Sequence, residues 1–486
     1  MEELTLPRAV IVAWCVLAAG GLSSAAAAAE TPAEPAADLS EEITGGNGVF
    51  IASASPTDFE GTRYVEHEYT ASGTASSYAA TGPLDADGRW EFEPAGEARY
   101  RTRVLVRRPA KAKDFSGTVV VEWLNVSGGL DADPDWVNLR EELMRNGDAW
   151  VGVSAQVIGV EGGPVLVSAP GGEEVAGKGL KVIDPARYGS LAHPGDGYSF
   201  DIFTQVARAV REGDTMGKLE PDRVLAAGES QSAFALVTYY NGVQPLTDAF
   251  DGFFVHSRGA ASLPLLAGAG VADIIGAITG TPTKFRTDQN APVLNLQTES
   301  DVTGVLNSLA ARQPDSKRFR LWEVAGSAHA DTHLVGPIAD QLGCGAPINA
   351  GPLHLVAKAA LRSLDTWVRT GERPRKAPRL EVTPGQDPEI RRDGDGIALG
   401  GIRTPPVDVP VDVLSGVPGP NPSTICLLLG STTPLSDARL AELYESEAEY
   451  LDRYRAATKE TIEAGFVLED DRDALREFAD PSRIAP

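Results

Sequence analysis

A serine between two small residues is the first feature of the chain that could do chemistry. Residues Gly228–Ser232 read GESQS and stand between an apolar run at Arg223–Ala227, which predicts a strand, and an apolar stretch that predicts a helix. A nucleophilic serine is presented on such a tight turn, and small residues two positions before and after it let the backbone pass. Gly228 and Ser232 meet this need for Ser230, although glycine is the commoner residue at the second place. An ordinary turn with a serine N-cap is the alternative.

A base and an acid follow the serine at the ends of two later predicted strands. His329 comes just after the strand predicted at Arg318–Val324, and Glu299 and Asp301 come just after the strand predicted at Pro292–Gln297. The order serine, acid, histidine is the one that α/β-hydrolase folds use. We predict that Asp301 fixes the tautomer of His329 and stabilises its charged form. Glu299 is the rival acid.

Other acidic and histidine patterns in the chain suit a metal ion less well. His329 and His333 are four residues apart, which on a helix is metal-ligand spacing. The glutamate of a metalloprotease helix is missing, however, and the segment follows a strand. The run Asp131, Asp133 and Asp135 lacks the glycine and glutamate of a calcium loop. We therefore expect no metal and no organic cofactor, and we interpret His333 as a loop or helix-cap residue.

An oxyanion in this setting needs two backbone N–H donors. The turn after the serine offers the N–H of Gln231. The second donor should come from the loop after a buried strand, and Asn125, Val126 and Ser127 follow the apolar run Thr118–Leu124 and precede two glycines. We predict donors at Gln231, Val126 and Ser127. A plain glycine-rich turn is the alternative for this loop.

Four polar residues could line a substrate pocket. His256 and Arg258 follow the strand predicted at Gly252–Val255, at the sheet edge where ligands bind in α/β folds. Asn125 lies on the loop just described, and His193 lies in a glycine-rich segment. The sequence equally allows His256 and Arg258 to cap the ends of loops, and it leaves His193 undecided.

The elements that must position these residues alternate between strand and helix over about 250 residues. This alternation predicts an α/β fold with a mostly parallel, doubly wound sheet. We assign the catalytic domain to residues 48–372, with inserts at 155–197 and 259–290. The second insert is rich in Ala and Gly and is expected to be helical, and both are expected to form a cap that sets selectivity. Residues 373–486 are interpreted as an appended C-terminal region packed on the core.

The N-terminus has the pattern of a secretory signal. An apolar run, Ala9–Leu22, is followed by small residues up to Ala29, which predicts a signal peptide at 1–29 with cleavage near Ala29. A retained anchor is the alternative, but the run is short for a span of about 20 residues. Residues 30–47 are rich in Ala, Pro and Glu and are predicted to be a flexible leader. We expect a secreted protein without a stable membrane anchor after cleavage.

The cysteines indicate the redox environment of the protein, and the net charge limits the kinds of partner it is expected to bind. Removal of the signal peptide leaves Cys344 and Cys426, which in an exported chain are expected to form one disulfide. Two buried free thiols are the alternative. The formal net charge is -25, from 43 Lys+Arg and 68 Asp+Glu. An acidic chain repels phosphate backbones and anionic bilayers, so nucleic acid is excluded as an expected partner.

Several motifs together resemble those of one family. They are VEWLNVSGG at Val121–Gly129, GESQS at Gly228–Ser232, HSRG at His256–Gly259, GSAHAD at Gly326–Asp331 and GGIRTP at Gly400–Pro405. In this combination the chain resembles a large bacterial family of α/β-hydrolase domains over most of its mature length. The resemblance implies an esterase-like serine hydrolase, in a family whose members mostly lack an assigned substrate.

These observations predict hydrolysis of a carboxylic ester through an acyl-enzyme. Transfer of the acyl group to another alcohol, or amide hydrolysis, would use the same residues and is the first alternative. A non-catalytic binding protein that kept the fold is the second. The expected partner is a neutral small-molecule ester.

Overall fold

The computed structural model describes residues 35–484, except for 54–55, 169, 214–215 and 218. The predicted signal peptide lies outside these residues, and so does the first part of the predicted leader. The strands of the main sheet are β1 (Asp38–Glu42), β2 (Tyr64–Ala80), β3 (Phe92–Pro109), β4 (Thr118–Trp123), β5 (Ala149–Val153), β6 (Arg223–Glu229), β7 (Gly252–His256), β8 (Val293–Thr298) and β9 (Phe319–Val324).

These strands form a nine-stranded sheet in the order β1-β2-β3-β5-β4-β6-β7-β8-β9. The pairs β1/β2, β2/β3 and β3/β5 are antiparallel, and every pair from β5 to β9 is parallel. The predicted mostly parallel sheet is therefore confirmed. Because the carboxyl ends of β4, β6, β7, β8 and β9 share one edge, the loops after them lie together there.

The described residues also form fifteen α-helices, and those that pack on the sheet cover both of its faces. They are α1 (Pro134–Asn146), α2 (Val157–Glu161), α3 (Gly179–Ile183), α4 (Pro185–Tyr188), α5 (Ser199–Glu212), α6 (Gln231–Thr238), α7 (Gln244–Thr247), α8 (Ile274–Ile278), α9 (Glu299–Thr303), α10 (Thr332–Val335), α11 (Leu353–Thr370), α12 (Pro405–Asp408), α13 (Asp437–Leu443), α14 (Glu447–Glu463) and α15 (Arg472–Arg476). Within the described part of the chain, none of them combines the length and the apolar character needed to cross a membrane.

Strand β4 shows why the central strands read as continuous apolar runs. All six of its residues are buried. Val119 and Val121 pack into the hydrophobic cluster of α5 and α6, and Val120 packs into the separate cluster of α1 and α11. Successive side chains of a strand point to opposite faces, so a strand covered on both sides has no polar alternation.

The predicted flexible leader is corrected in part by the structure. Strand β1 lies inside the 30–47 interval and pairs with β2. Its Leu39 is buried, and the N–H of Ala37 donates to the carbonyl oxygen of Gln205. The Ala, Pro and Glu content of this interval suggested a flexible chain, but one buried leucine and the open edge of β2 order its second half.

The two inserts differ from each other in structure. The 155–197 insert contains the short helices α2, α3 and α4. The 259–290 insert, expected to be helical, is helical only at Ile274–Ile278. The φ angles of Gly268 and Gly270, 148° and 151°, are incompatible with a helix. The glycines allow this non-helical backbone, whereas the high alanine content of the insert had favoured a helix.

Residues after 372 pack against the side of the sheet that α1 and α11 cover, and they add a small sheet of their own. Strands β10 (Asp412–Ser415) and β11 (Ser431–Pro434) pair antiparallel. Val467 and Leu475 belong to the same hydrophobic cluster as α11. The disulfide Cys344–Cys426 is present, with the two Cα atoms 5.4 Å apart, and its apolar surroundings include Ala330.

Candidate active site

Ser230 lies at the turn between β6 and α6, in a backbone conformation that serine rarely adopts. Its φ is 59° and its ψ is -119°. Such a strained non-glycine residue persists only where its surroundings hold it, and here the N–H of Ser230 donates to the carbonyl oxygen of His256 at 3.0 Å. A Cβ atom on Gly228 would lie 3.1 Å from the Cβ of Ser232. The turn therefore requires the two small residues that flank the serine.

A continuous hydrogen-bonded path connects Ser230 to a buried carboxylate. The Nε2 of His329 lies 2.8 Å from the Ser230 Oγ, and its Nδ1 lies 2.7 Å from the Asp301 Oδ1. The other oxygen of Asp301 accepts the N–H of Thr298 at 2.7 Å, closing a capping box at the start of α9. The N–H of His329 donates to the Ser300 Oγ at 2.7 Å. Both side chains are thus held by the ends of β8 and β9.

The electrostatics of this path fix the tautomer of the neutral imidazole and favour its protonated form. Burial raises the pKa of Asp301, but the charge and hydrogen bond of His329 and the bond from Thr298 outweigh it, so that pKa is below its usual value. An ionised Asp301 accepts the Nδ1–H of His329, so in the neutral imidazole Nε2 carries the lone pair that can accept the Ser230 hydroxyl proton. Burial lowers the pKa of His329, but the carboxylates of Glu229 and Asp301 overcome this effect and raise it to about 9.

Glu299, the rival acid, has different partners. Its Oε1 accepts the N–H of Gly326 at 2.5 Å, and its Oε2 accepts from the Arg392 guanidinium at 2.7 Å and from the N–H of Gly416 at 3.0 Å. Both oxygens are committed to these groups, so Glu299 joins the loop before His329 to the C-terminal part of the chain. The structure brings Asp301, and not Glu299, to the imidazole.

The three backbone N–H groups predicted to bind the oxyanion differ in their hydrogen-bond partners. Within the described residues, the N–H of Gln231 donates to no acceptor. The N–H of Val126 makes a long hydrogen bond, 3.3 Å, to the side-chain Oε1 of Gln231. The N–H of Ser127 donates to the Asn125 Oδ1 at 2.8 Å. The backbone N–H of Gln231 is thus available as a donor, whereas the side chain of Gln231 occupies the N–H of Val126.

Glu229 is part of the site, and sequence reasoning missed it. This residue ends β6 immediately before Ser230, is 4% exposed, and places its Oε1 3.3 Å from the Nε2 of His329. Burial raises its pKa to about 7, although the nearby charges of His329 and His256 oppose the rise. An acidic residue at the end of an otherwise apolar strand was the available signal. The sequence does not show, however, toward which neighbour that side chain turns.

Of the possible pocket residues, Asn125 and His256 lie beside the turn without reaching the Ser230 hydroxyl. The Nδ2 of Asn125 donates to the carbonyl oxygen of Glu229 at 3.1 Å. The Nδ1 of His256 lies 2.9 Å from the Asp135 Oδ1, and both side chains are buried. These two residues therefore stabilise the structure around the turn that carries Ser230.

Arg258 and His193 are buried, and both side chains form hydrogen bonds with backbone groups of the two inserts. The buried guanidinium of Arg258 donates to carbonyl oxygens of Gly259, Ala260 and Thr283. The His193 Nε2 lies 2.9 Å from the Ala155 carbonyl oxygen, and its Nδ1 accepts the N–H of Gly195 at 3.1 Å. Their polar atoms are engaged with backbone groups of the 259–290 and 155–197 inserts, respectively, which agrees with the loop-capping alternative for Arg258 and gives His193 a similar role.

His333 does not join His329 in a common site. Its ring stacks on that of His354, with centroids 3.7 Å apart, and its Nε2 lies 3.2 Å from the Val137 carbonyl oxygen. The four-residue spacing of the two histidines therefore reflects a short helix, α10, that begins after Asp331 and packs toward α1 and α11.

Comparison with known proteins gives one family and a set of distant structures. The model of a family described as "Alpha/beta hydrolase domain" matches residues 33–477. Similar solved structures include a fungal esterase from Rhizomucor miehei, 11% identical over 64% of this chain and 86% of that chain, with a TM-score of 0.33. Another is an α/β serine hydrolase without a lid from Xanthomonas campestris, 14% identical over 60% and 94%, with a TM-score of 0.30. No curated protein matches the chain.

Proposed function

The chain belongs to the alpha/beta hydrolase domain family, and we propose that within it the chain is a serine hydrolase that cleaves carboxylic esters through Ser230, His329 and Asp301. The observation that carries the proposal is the path of two short hydrogen bonds, 2.8 and 2.7 Å, from the serine Oγ through both ring nitrogens to the carboxylate. The strained φ of Ser230 supports it, because strain of this kind is stored at functional turns.

Acylation of the serine follows from this arrangement. The Nε2 of His329 takes the hydroxyl proton of Ser230 while the Oγ attacks the carbonyl carbon of the ester. The carbonyl oxygen becomes an oxyanion and accepts the N–H of Gln231. When the tetrahedral intermediate collapses, the bond from carbon to the alcohol oxygen breaks, and the Nε2–H of His329 protonates the departing alcohol.

Deacylation repeats these steps with water. His329 takes a proton from a water molecule, the water oxygen attacks the acyl carbon, and the Ser230 Oγ leaves with the proton returned from Nε2. Asp301 stays ionised throughout and stabilises the imidazolium that forms in each half-reaction.

The N–H of Val126 is the second donor that we assign to the oxyanion. Its bond to the Gln231 side chain is long, 3.3 Å, and a charged oxyanion is a stronger acceptor than a neutral amide oxygen. The oxyanion therefore displaces the Gln231 Oε1 from this N–H, with a small movement of the glutamine side chain.

Export of the protein is the second part of the proposal. The disulfide Cys344–Cys426 supports it, because disulfides persist in oxidising compartments and are rare in the cytosol. The apolar N-terminal run followed by small residues supports it from the sequence. Identification of the N-terminal residue of the protein recovered outside the cells, expected close to Ala29, tests this part.

Hydrolysis of p-nitrophenyl esters of increasing acyl length tests the proposed chemistry. We expect turnover by the natural chain and a loss of about 10³-fold or more in kcat/KM for Ser230→Ala. Ser232→Ala is the matched control, because this serine is two residues away and its buried hydroxyl has no hydrogen-bond partner in the described structure. Equal losses in both variants, or equal activity in Ser230→Ala and the natural chain, would contradict the proposal.

A further inference from the structure

The mechanism above leaves one buried carboxyl group of the site without a role. The Oε1 of Glu229 lies 3.3 Å from the Nε2 of His329, the same nitrogen that lies 2.8 Å from the Ser230 Oγ. The other oxygen of Glu229 lies 3.5 Å from the Nδ2 of Asn125. No other carboxyl group of the described residues lies within 4 Å of Nε2, so the reacting nitrogen faces two groups, a hydroxyl and a carboxyl.

The electrostatic interaction between the Glu229 carboxylate and the Nε2 of His329 changes from repulsive to attractive during the proposed reaction. Asp301 accepts the Nδ1–H, so in neutral His329 the Nε2 carries a lone pair. An ionised carboxylate is repelled by this lone pair at 3.3 Å and is attracted by the Nε2–H of the imidazolium. The attraction is strengthened by burial, since Glu229 and His329 are 4% and 5% exposed. An ionised Glu229 therefore stabilises the imidazolium and destabilises the free base.

The other ionisable groups around this pair come from neighbouring elements. Asp301 on α9 contacts the Nδ1 of His329. His256 on β7 and Asp135 on α1 form a hydrogen-bonded pair whose charges act on Glu229. Asp135 adds negative charge and His256 adds positive charge when protonated. The carboxylates of Glu229 and Asp301 outweigh the burial of His329 and hold its pKa above the usual value.

We propose that Glu229 is a positioning residue that binds the Nε2–H of His329 once the base has taken the serine proton, and that it thereby sets the pH range in which the base is free. The inference rests on the proposed function of Ser230 and His329. The proton moves from the Ser230 Oγ to Nε2 and later to the leaving alcohol. Glu229 accepts a hydrogen bond from Nε2–H at the intermediate stage and takes no proton itself.

Removal of the negative charge should have two opposite effects. Without the carboxylate the imidazolium loses a partner, so the pKa of His329 falls. Above about pH 7, where Glu229 of the natural chain is ionised, and below the natural midpoint, more of the imidazole is then free and the reaction becomes faster. The same loss weakens the base, so reaction at high pH, where the imidazole is free in both proteins, becomes slower. The two pH profiles should therefore cross, which a merely structural role of Glu229 would not produce.

The experiment measures the second-order rate constant of Ser230 labelling by a fluorophosphonate from about pH 5 to about pH 10 for the natural chain, Glu229→Gln and Glu229→Asp. We expect Glu229→Gln to shift the acidic midpoint down by about one pH unit or more, a tenfold change in the free base at a given pH below it. Its rate at high pH should fall by roughly tenfold. Glu229→Asp keeps the charge and should keep most of the raised midpoint. Thermal unfolding of each variant verifies that it is folded.

The outcomes separate this inference from the proposed function. Absence of labelling in the folded natural chain at every pH would contradict the function of Ser230 itself. Labelling with the same midpoint in the natural chain and in Glu229→Gln would overturn the role of Glu229 alone. If Glu229→Gln does not fold, a midpoint of the natural chain at or below about 6.5, the ordinary value for histidine, still contradicts the inference, and a midpoint that falls in Glu229→Asp, where the carboxylate is drawn back from Nε2, supports it.

Discussion

Asp301 and Glu299 are acidic residues two positions apart that the fold uses differently. Asp301 closes the capping box of α9 and faces His329, whereas Glu299 points to Arg392 and two backbone N–H groups. The first turn of a helix separates residues two apart by more than half a turn, so their side chains cannot serve the same neighbour. The sequence could name both as candidates and could not orient them.

Substitution of each acid in turn tests this assignment. Asp301→Asn should lower kcat by roughly 10³- to 10⁴-fold with little effect on folding, because an asparagine does not hold the required tautomer of His329. Glu299→Gln should instead lower the melting temperature, because it breaks the pair with Arg392, and should leave kcat within about tenfold. Steady-state ester hydrolysis and thermal unfolding provide both readouts. The reverse pattern would show that Glu299 is the acid.

Two other residues show what the sequence could not supply at this scale. Glu229 and Gln231 flank the serine in the motif, and their backbone positions were predictable from the turn alone. Their side-chain partners, the His329 Nε2 and the Val126 N–H, come from other loops far along the chain. Such contacts depend on rotamers chosen by tertiary packing, which a local motif does not encode.

At the level of elements, the turn from β6 to α6 depends on the close approach of strand and helix. A Cβ on Gly228 would lie 3.0 Å from the Leu236 Cδ1 and 3.2 Å from the backbone carbon of Ser232. Such distances are tighter than ordinary contacts, so the helix would have to shift. The turn that presents Ser230 is therefore sensitive to a single methyl group.

Gly228→Ala should destabilise the protein by about 1–3 kcal/mol, the usual result of overpacking. Gly82→Ala is the matched control, because a Cβ there meets nothing within 4 Å and the backbone is not in the left-handed region. Urea unfolding compares the two variants. A loss of stability that is equal in both, or absent in Gly228→Ala, would contradict the tight packing described for this turn.

The disulfide connects the segment after His329 to the C-terminal part of the chain. The N–H of Ala330 donates to the Leu428 carbonyl oxygen, two residues from Cys426. Replacement of both cysteines by alanine should lower the free energy of unfolding by about 2–4 kcal/mol, since the bridge closes a loop across a sequence separation of 82. Urea unfolding measures the effect. An unchanged stability would mean that the packing of the loop, and not the bridge, holds the two segments together.

The sequence predicted some elements better than others for a physical reason. The central strands were predictable because both of their faces are buried, which leaves a continuous apolar run. The 259–290 insert was predicted wrongly because alanine favours helix while the neighbouring glycines allow an extended path. Strand β1 was missed because its ordering comes from the edge of β2 and not from its own composition.

For the whole molecule, charge is distributed unevenly between the interior and the surface. Buried pairs such as Arg103 with Glu68 and Asp131 are shielded from salt by the protein. The formal net charge of -25 therefore acts mainly through exposed carboxylates, which repel one another in the folded state. This imbalance was visible in the sequence, whereas the buried pairs were not.

The melting temperature should accordingly rise with ionic strength. Screening lengths fall from about 30 Å at 0.01 M salt to about 3 Å at 1 M, which removes long-range repulsion between surface carboxylates. Thermal unfolding in increasing sodium chloride measures the change, and the same series in choline chloride separates screening from binding of a particular cation. A melting temperature that falls with both salts would show that surface ion pairs outweigh the net repulsion.

The most direct test of the central claim is the mass of the intact protein after reaction with a fluorophosphonate, followed by mapping of the modified peptide. The account predicts one adduct per chain, located on Ser230, and no adduct on the folded Ser230→Ala variant. Labelling of Ser230→Ala to the same extent, an adduct on another residue, or no adduct on the folded natural chain would contradict the assignment of Ser230 as an activated nucleophile.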